Sequence, residues 1–510
     1  MVHHCDRAAE PASHPREDHL ASTYGPLTNS KLVLAVVDGL KPAMLERAVA
    51  TGRAPAMKAV IERGTYVEDC CAAFPSVTPV CAATIATGVR QDAHHIPSMN
   101  WYWRDERRYV EYGSSFSAAR RFGVVQQLTD TIYNMNALHL PADVPTVFES
   151  LDDAGVRTAG TTYLMYRGRH EHRMSKTTAL TRLASTVMRR PVMGPKELFY
   201  ADIFASRETP CRSQLGLPGV RDQHAGCVGA YMVEHDLFDF LLLSLPDNDT
   251  HSHRFGPHAQ VTSIAAADRQ LERVFHAGGG TERFLDEHAV ILVADHSHAP
   301  VEKAIDLQGA YAELAVLGPS GARRDDAEVA LCPAQRSAMV YVLVKEGRDA
   351  LLPRIVDIAL ELEGVDLTLW RPAPREGAIA SPQGELRFAP GGDLRDPRGG
   401  RWSIDGPLEI LDARVEDGVL RSDTYPDALG RAWSALACPT SGDVLLSAAP
   451  SYEFADWGGV DHVGGGSHGS LHRVDSLGAL AFCGVEAPHD HGEWSIADVA
   501  PMALNHFGAG

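Results

Sequence analysis

The residues in this sequence with the most chemical potential are aspartates placed at the ends of apolar runs. Asp38 closes KLVLAVVD, Asp247 and Asp249 follow FLLLSLP, and Asp295 closes HAVILVAD. Three histidine-bearing segments accompany them: DNDTHSH at 247–253, DHSH at 295–298 and GSHGS at 466–470. Carboxylates gathered in one place repel one another unless a cation neutralises them. Mixed Asp and His donors suit zinc or manganese better than calcium, which prefers oxygen throughout. Each signal alone also has an ordinary reading: Asp38-Gly39 as a turn, Asp295-His296 as a loop dipeptide, and His468 as a surface-loop histidine. Their joint occurrence at strand ends points to a metal-binding centre.

The elements that must position these groups can be read from periodicity. KLVLAVV, FDFLLLSL and HAVILV are continuous apolar runs, the pattern of strands buried on both faces of a parallel sheet. The carboxyl ends of such strands share one edge, where α/β proteins bind ligands. Residues 42–63 have helical spacing, with Met44, Leu45, Ala48, Met57, Val60 and Ile61 on one face, and VCAATIATG reads as a helix stopped by Gly88. PTVFESLDDAGVRTAGTTY repeats helix, glycine stop and strand, and SLGALAFCG is a late strand. The segment 165–233 is basic and irregular. Its RGRHEHR at 167–173 reads as a solvated loop, with contact to an anionic substrate as the alternative.

The fold class is therefore α/β, with a mostly parallel central sheet flanked by helices and a smaller β-rich insertion. Residues 1–29 form a polar tail, 30–365 the core, 366–450 an insertion or cap broken by Gly, Pro and Asp, and 451–510 a return to the core. With 47 Lys and Arg against 66 Asp and Glu, the 510-residue chain carries a formal charge of −19. That excludes a general nucleic-acid binder, which needs a basic face. No stretch reaches the roughly 18–20 apolar residues of a membrane span. The N-terminal residues lack an apolar signal core, and the nine cysteines form no C-x-x-C pair. Neither a disulfide scaffold nor a cysteine zinc site is expected, and a reducing cytoplasm is the simplest compartment.

The ordered segments VVDGL (36–40), FPSVTPVCAATIATG (74–88), DNDTHSHRFGP (247–257), VADHSH (293–298) and GGSHGS (465–470) resemble the alkaline-phosphatase superfamily. The resemblance is closest to its type I phosphodiesterase/nucleotide pyrophosphatase branch and covers roughly residues 30–310 and 455–490. It implies an alkaline-phosphatase-like core and two divalent ions, Zn2+ or alternatively Mn2+. Asp38, Thr78, Asp295 and His296 would hold one ion; Asp249, His253 and His468 would hold the other. Asp247/His251 shares the four-residue spacing of Asp249/His253, but the continuation His253-Arg254-Phe255-Gly256-Pro257 favours the latter pair. His298 and His472 are nearby substitutes for His296 and His468, read as supporting or structural.

The resemblance places the nucleophile nine residues before the Thr of Thr87-Gly88, at Thr78. A hydroxyl at a helix N-terminus meets positive dipole and free N–H groups. Thr78 is equally suited to capping that helix, with Pro79 following, and Ser76 is a rival hydroxyl outside the spacing. Asn100, six residues beyond His94, would hold a phosphoryl oxygen; a loop-turn role is its ordinary reading, and His94-His95-Ile96 departs from the usual His-Gly-Ile. Trp101, Tyr102 and Trp103 are read as core residues, with stacking on a substrate as the alternative.

The implied activity is metal-dependent hydrolysis of phosphodiesters or nucleotide pyrophosphates through a phospho-threonine intermediate, acting on a small phosphorylated substrate such as a nucleotide. Phosphonoacetate hydrolase-like and phosphomonoesterase activities use the same ligands, and a metal-binding pseudoenzyme is the alternative outside catalysis. A sulfatase is disfavoured, because CPAQR at 332–336 has its proline one place too early. A Ser-dependent phosphoglycerate mutase is disfavoured by Thr78.

Overall fold

Hydrophobic alternation along the first strand organises the molecule, a computed structural model describing residues 31–174, 190–213, 217–487 and 492–510. The predicted tail at 1–29 lies outside the described residues. Along Lys31–Val37, Leu32, Leu34 and Val36 enter one apolar core, while Val33, Ala35 and Val37 enter a second on the opposite face. A strand buried on both faces needs helices on both sides. The helix Thr78–Thr87 packs into the first core; Pro42–Ala50, Pro55–Arg63, Arg221–Glu234 and Val261–Ala277 cover the second.

The central sheet has eight strands. In spatial order they are Thr65–Cys71, Leu477–Cys483, His288–Val293, Lys31–Val37, Phe240–Leu245, Thr158–Gly160, Glu197–Tyr200 and Phe204–Ala205. The middle is parallel, with Val37 opposite Leu245 and Val36 opposite Val293. Asp38, Pro246 and Ala294 therefore leave the sheet at one level. Leu477–Cys483 runs antiparallel to both its neighbours.

The helical spacing at 42–63 resolves into two helices, because Gly52 adopts φ +69° and Pro55 starts the second. A second, mostly antiparallel sheet of nine strands begins at Val329–Ala334 and Ser337–Val342, ahead of residue 366, and continues to Val444–Ala448. Its apolar face joins the first core. RGRHEHR is tied down: Arg167 is buried with its Nε 2.9 Å from Glu149, Arg169 pairs with Asp153, and His170–His172 forms a strand with Val192–Gly194.

The cysteine expectation is corrected by a disulfide between Cys211 and Cys227, with Cα atoms 5.7 Å apart. Sixteen residues separate the two, so only tertiary packing brings them together. Such crosslinks persist in oxidising compartments, whereas Cys70, Cys71, Cys81, Cys332, Cys438 and Cys483 are free. Among the described residues, no helix is long and apolar enough to cross a membrane.

Candidate metal centre and catalytic cavity

Thr78 opens the helix Thr78–Thr87, with Pro79 in its first turn and Gly88 closing it at φ +73°. Asp38 follows the first strand, Asp295 and His296 follow His288–Val293, and Asp249 and His253 lie one turn apart on the helix Asp247–Phe255. His468 comes from a loop after the strand Gly466–Ser467, which pairs with Ala299–Ile305. All seven sequence-predicted metal residues meet at the carboxyl edge of the sheet, in two groups.

In the first group, His296 Nε2 is 3.4 Å from Asp38 Oδ1, 3.4 Å from Asp295 Oδ2 and 3.4 Å from Thr78 Oγ1. In the second, Asp249 Oδ1 is 3.3 Å from His253 Nε2 and 3.4 Å from His468 Nε2. Two donors bound tetrahedrally to one zinc at roughly 2.0–2.1 Å are themselves roughly 3.3–3.4 Å apart. These separations are compatible with donors sharing an ion, and the acidic and histidine donors that converge most closely are Asp38, Asp295 and His296, and Asp249, His296, His298 and His468.

The outer ring nitrogens agree with that reading. His253 Nδ1 meets Gly466 O at 2.8 Å, His468 Nδ1 meets Ser76 O at 2.8 Å, and His296 Nδ1 meets Ser297 O at 3.1 Å. A backbone carbonyl at Nδ1 fixes the tautomer that leaves Nε2 as a ligand. Asp38 Oδ1 and His468 Nε2 are buried without a hydrogen-bond partner, a costly state that a cation relieves. Burial and the charges of Asp295 and Asp249 push the Asp38 carboxyl well above the usual range. Burial, with Asp249 adding to it against the Gly39 N–H, pushes Asp295 up to about 6. Burial pushes Asp249 up too, but its histidine neighbours, His253 first, outweigh it and hold the group well below. Three carboxylates gathered this closely, Asp38 and Asp295 of them pushed up by burial and mutual repulsion, match a site built for cations.

The rival positions stand elsewhere. Asp247 Oδ1 accepts from Gly219 N and Arg221 Nε, both at 2.9 Å, and His251 Nε2 faces Ala259 O at 3.3 Å. Ser76 is fully buried, its Oγ donating to Ser470 O and accepting from Gly469 N. His472 Nδ1 accepts from Val474 N as a helix cap. Cys332 is buried in the strand Val329–Ala334.

Asn100 is not brought to the site. It lies in the strand Asn100–Trp103, pairs with Glu111, and spends its Nδ2 on Val110 O at 3.0 Å. Its neighbour Met99 lines the catalytic cavity instead; adjacent strand residues face opposite ways. Trp101 and Tyr102 are buried, and Trp101 and Trp103 pack edge-on against His139. None of the three lines that cavity.

The sequence reading named His298 as a nearby supporting residue, and missed Gln335 and Arg221 altogether. His298 is fully buried, with Nε2 2.9 Å from Asp249 Oδ1, within hydrogen-bond distance. Its ring fills space that Gly39 leaves open: a Cβ at residue 39, where φ is +66°, would lie 2.7 Å from it. The His298 carbonyl accepts from Lys41 Nζ at 3.0 Å, which pins the loop. Gln335, at a turn of the second sheet, reaches His253 Nε2 at 3.3 Å. Its only sequence signal is none at all, whereas His298 announces itself two residues after His296.

A cavity of about 320 Å³ opens beside Asp38, Thr78, Asp249 and Asp295. Met99, Tyr112, Leu128, Ile132, Tyr163 and Leu164 give it a largely apolar wall, and Arg221 is the cation among its described lining residues. At the start of the helix Thr78–Thr87, Pro79 has no N–H, and the Val80 and Cys81 amides bond to Val77 O. The helix end offers positive dipole more than free donors.

The family model for type I phosphodiesterase / nucleotide pyrophosphatase matches residues 32–357. The fold is similar to phosphonoacetate hydrolase from Sinorhizobium meliloti 1021 in complex with phosphonoformate. The two share 16% identity over 94% of this chain and 97% of that one, with TM-score 0.53. It is also similar to human ectonucleotide pyrophosphatase / phosphodiesterase 5, at 10% identity over 94% and 95%, with TM-score 0.55. An inactive murine form of the latter in complex with AMP aligns with TM-score 0.53. No curated protein sequence matches. At these identities the structural likeness speaks for the fold.

Proposed function

Because this chain belongs to the type I phosphodiesterase/nucleotide pyrophosphatase family and is thereby a phosphoric ester hydrolase, we propose that it cleaves phosphodiester or nucleotide pyrophosphate bonds through a phospho-threonine intermediate on Thr78. The carrying observation is the Thr78 hydroxyl, 3.4 Å from His296 Nε2, at the mouth of an apolar cavity between two clusters of ligand-spaced donors.

Asp38, Thr78, Asp295 and His296 would hold one divalent ion, and Asp249, His253 and His468 the other; the donor chemistry favours Zn2+, with Mn2+ also compatible. When bound, such ions acidify a coordinated hydroxyl or water and neutralise charge on attacking and leaving oxygens. Thr78 Oγ1 attacks phosphorus, its bond forms as the bond to the leaving oxygen breaks, and the leaving group departs with a proton. Water then attacks the Thr78 phosphoester, releasing the phosphoryl product and returning the hydroxyl. The positive end of the helix favours charge on Thr78 Oγ1 and on the phosphoryl oxygens.

The apolar wall favours a diester substituent over the bare dianion of a monoester. A phosphonate bearing a carboxylate is a second reading, supported by Arg221 at the cavity and by the likeness to a hydrolase crystallised with phosphonoformate. The test is hydrolysis of bis-p-nitrophenyl phosphate against p-nitrophenyl phosphate with zinc or manganese, an EDTA control and Thr78→Ala. Chelator-sensitive, Thr78-dependent preference for the diester is the expected result. Preference for the monoester moves the assignment to a phosphatase, and loss of neither activity in Thr78→Ala removes the intermediate.

A further inference from the structure

Arg221 is an arginine with one end fixed and one end open. Its Nε donates to Asp247 Oδ1 at 2.9 Å, and its Nη2 donates to Thr250 Oγ1 at 2.6 Å and to Pro246 O at 3.3 Å. Asp247 is itself immobilised. It accepts from Gly219 N at 2.9 Å and Asp222 N at 3.1 Å, and its own amide donates to Asp222 Oδ1 at 2.9 Å. Nη1 has no partner among the described residues. A guanidinium held on one edge has already lost its rotamer freedom, so its open edge binds an anion at little further entropic cost.

The location makes that edge functional. Arg221 borders the cavity that also holds Thr78, Asp38 and Asp249, opposite aromatic and aliphatic side chains. Its charge is felt at the Asp38 carboxyl, opposing the push from the neighbouring carboxylates. The other donors expected near the reacting phosphorus are committed elsewhere: the Asn100 amide to Val110, and the Val80 and Cys81 amides to Val77. A cavity with largely apolar walls and one preorganised cation among its described lining residues matches a group with an apolar body and an acidic end.

We propose that Arg221 is a specificity-determining residue whose open Nη1 pairs with an anionic group, a carboxylate or a second phosphoryl group, on the substituent seated in the cavity. The inference rests on the hydrolase reading of the same site and names its substrate class: phosphodiesters or phosphonates with an acidic substituent.

The experiment uses matched diesters on the full chain loaded with zinc: 4-nitrophenyl phenyl phosphate, and the same ester with a carboxylate or a phosphonate at the para position of the phenyl ring. Wild type should favour the acidic esters in kcat/KM by on the order of tenfold, mainly through KM, with the advantage shrinking as salt rises. In Arg221→Met the ratio of acidic to neutral ester should fall to about one, and Arg221→Lys should retain part of it. The stronger of the carboxylate and phosphonate arms identifies the anion. A wild-type ratio of one or less, with the neutral ester turned over, overturns the Arg221 assignment and leaves the hydrolase reading intact. So does a ratio that survives in folded Arg221→Met. If metal-loaded wild type turns over none of the three, the hydrolase reading falls and the inference with it. The wild-type comparison needs no variant to fold.

Discussion

Replacing His298 tests the distinction between a residue that binds an ion and one that holds a ligand in place. His298 Nε2 lies 2.9 Å from Asp249 Oδ1, whereas the proposed ligands His253 and His468 lie 3.3 and 3.4 Å from the same oxygen. Its Nδ1 is buried without a partner, while the other three histidines anchor theirs on carbonyls. These features make His298 a donor to the Asp249 carboxylate. A hydrogen bond to a charged group contributes about 1.5–3 kcal/mol, so His298→Met should weaken one of two metal affinities by roughly ten- to a hundredfold. Met fills similar volume without donating.

The assay is titration of metal-free protein with zinc against a chromophoric chelator, joined to the visible spectrum of the cobalt-substituted protein. At saturation the His298→Met spectrum should keep the wild-type band positions and intensities, because the ligand set is unchanged. His298→Gln, which retains an N–H donor, should recover part of the affinity. Unchanged affinities would remove the positioning role. A saturated cobalt spectrum of altered coordination would instead make His298 a ligand and refute the distance argument.

Asp249→Asn should lose one metal equivalent by elemental analysis, whereas Asp247→Asn should keep both; the opposite pattern would shift the ligand register by two residues. Glu111 is buried, and burial pushes its carboxyl up to about 7 against the N–H groups of Ser114 and Gly113. The folded state thus holds a proton that the unfolded chain releases near pH 4.5, so stability falls as pH rises from about 4.5 to 7. Glu111→Gln should remove that slope and stabilise the protein at pH 8 by about 3 kcal/mol, read by chemical denaturation; an unchanged slope would exclude Glu111 as its source. The Cys211–Cys227 crosslink closes a short loop, and Cys227→Ser should cost roughly 3 kcal/mol of stability under non-reducing conditions. Peptide mapping that finds both thiols free would refute the pairing.

Much of the centre was legible because strand ends and helix starts are local. Apolar runs ending in Asp38 and Asp295 could only be buried strands delivering carboxylates to one edge, and Thr78-Pro79 before an apolar helix could only open it. What lay beyond local pattern was direction and long-range pairing. Asp247 and Asp249 sit two residues apart on one helix, which points them to different sides, so one clamps Arg221 and the other joins the histidines. Met99 and Asn100 are neighbours whose faces were decided by how that short strand pairs with Arg108–Glu111. Gln335, Arg221 and the Cys211–Cys227 pair carry no spacing signal, because each acquires its partner through a fold contact across the chain. The sequence by itself, through its ordered motifs, named the groups proposed to bind metal and carry the nucleophile. Tertiary structure alone decided which of Met99 and Asn100 faces the cavity, since a one-residue slip in a strand reverses the side chain's direction without changing local composition.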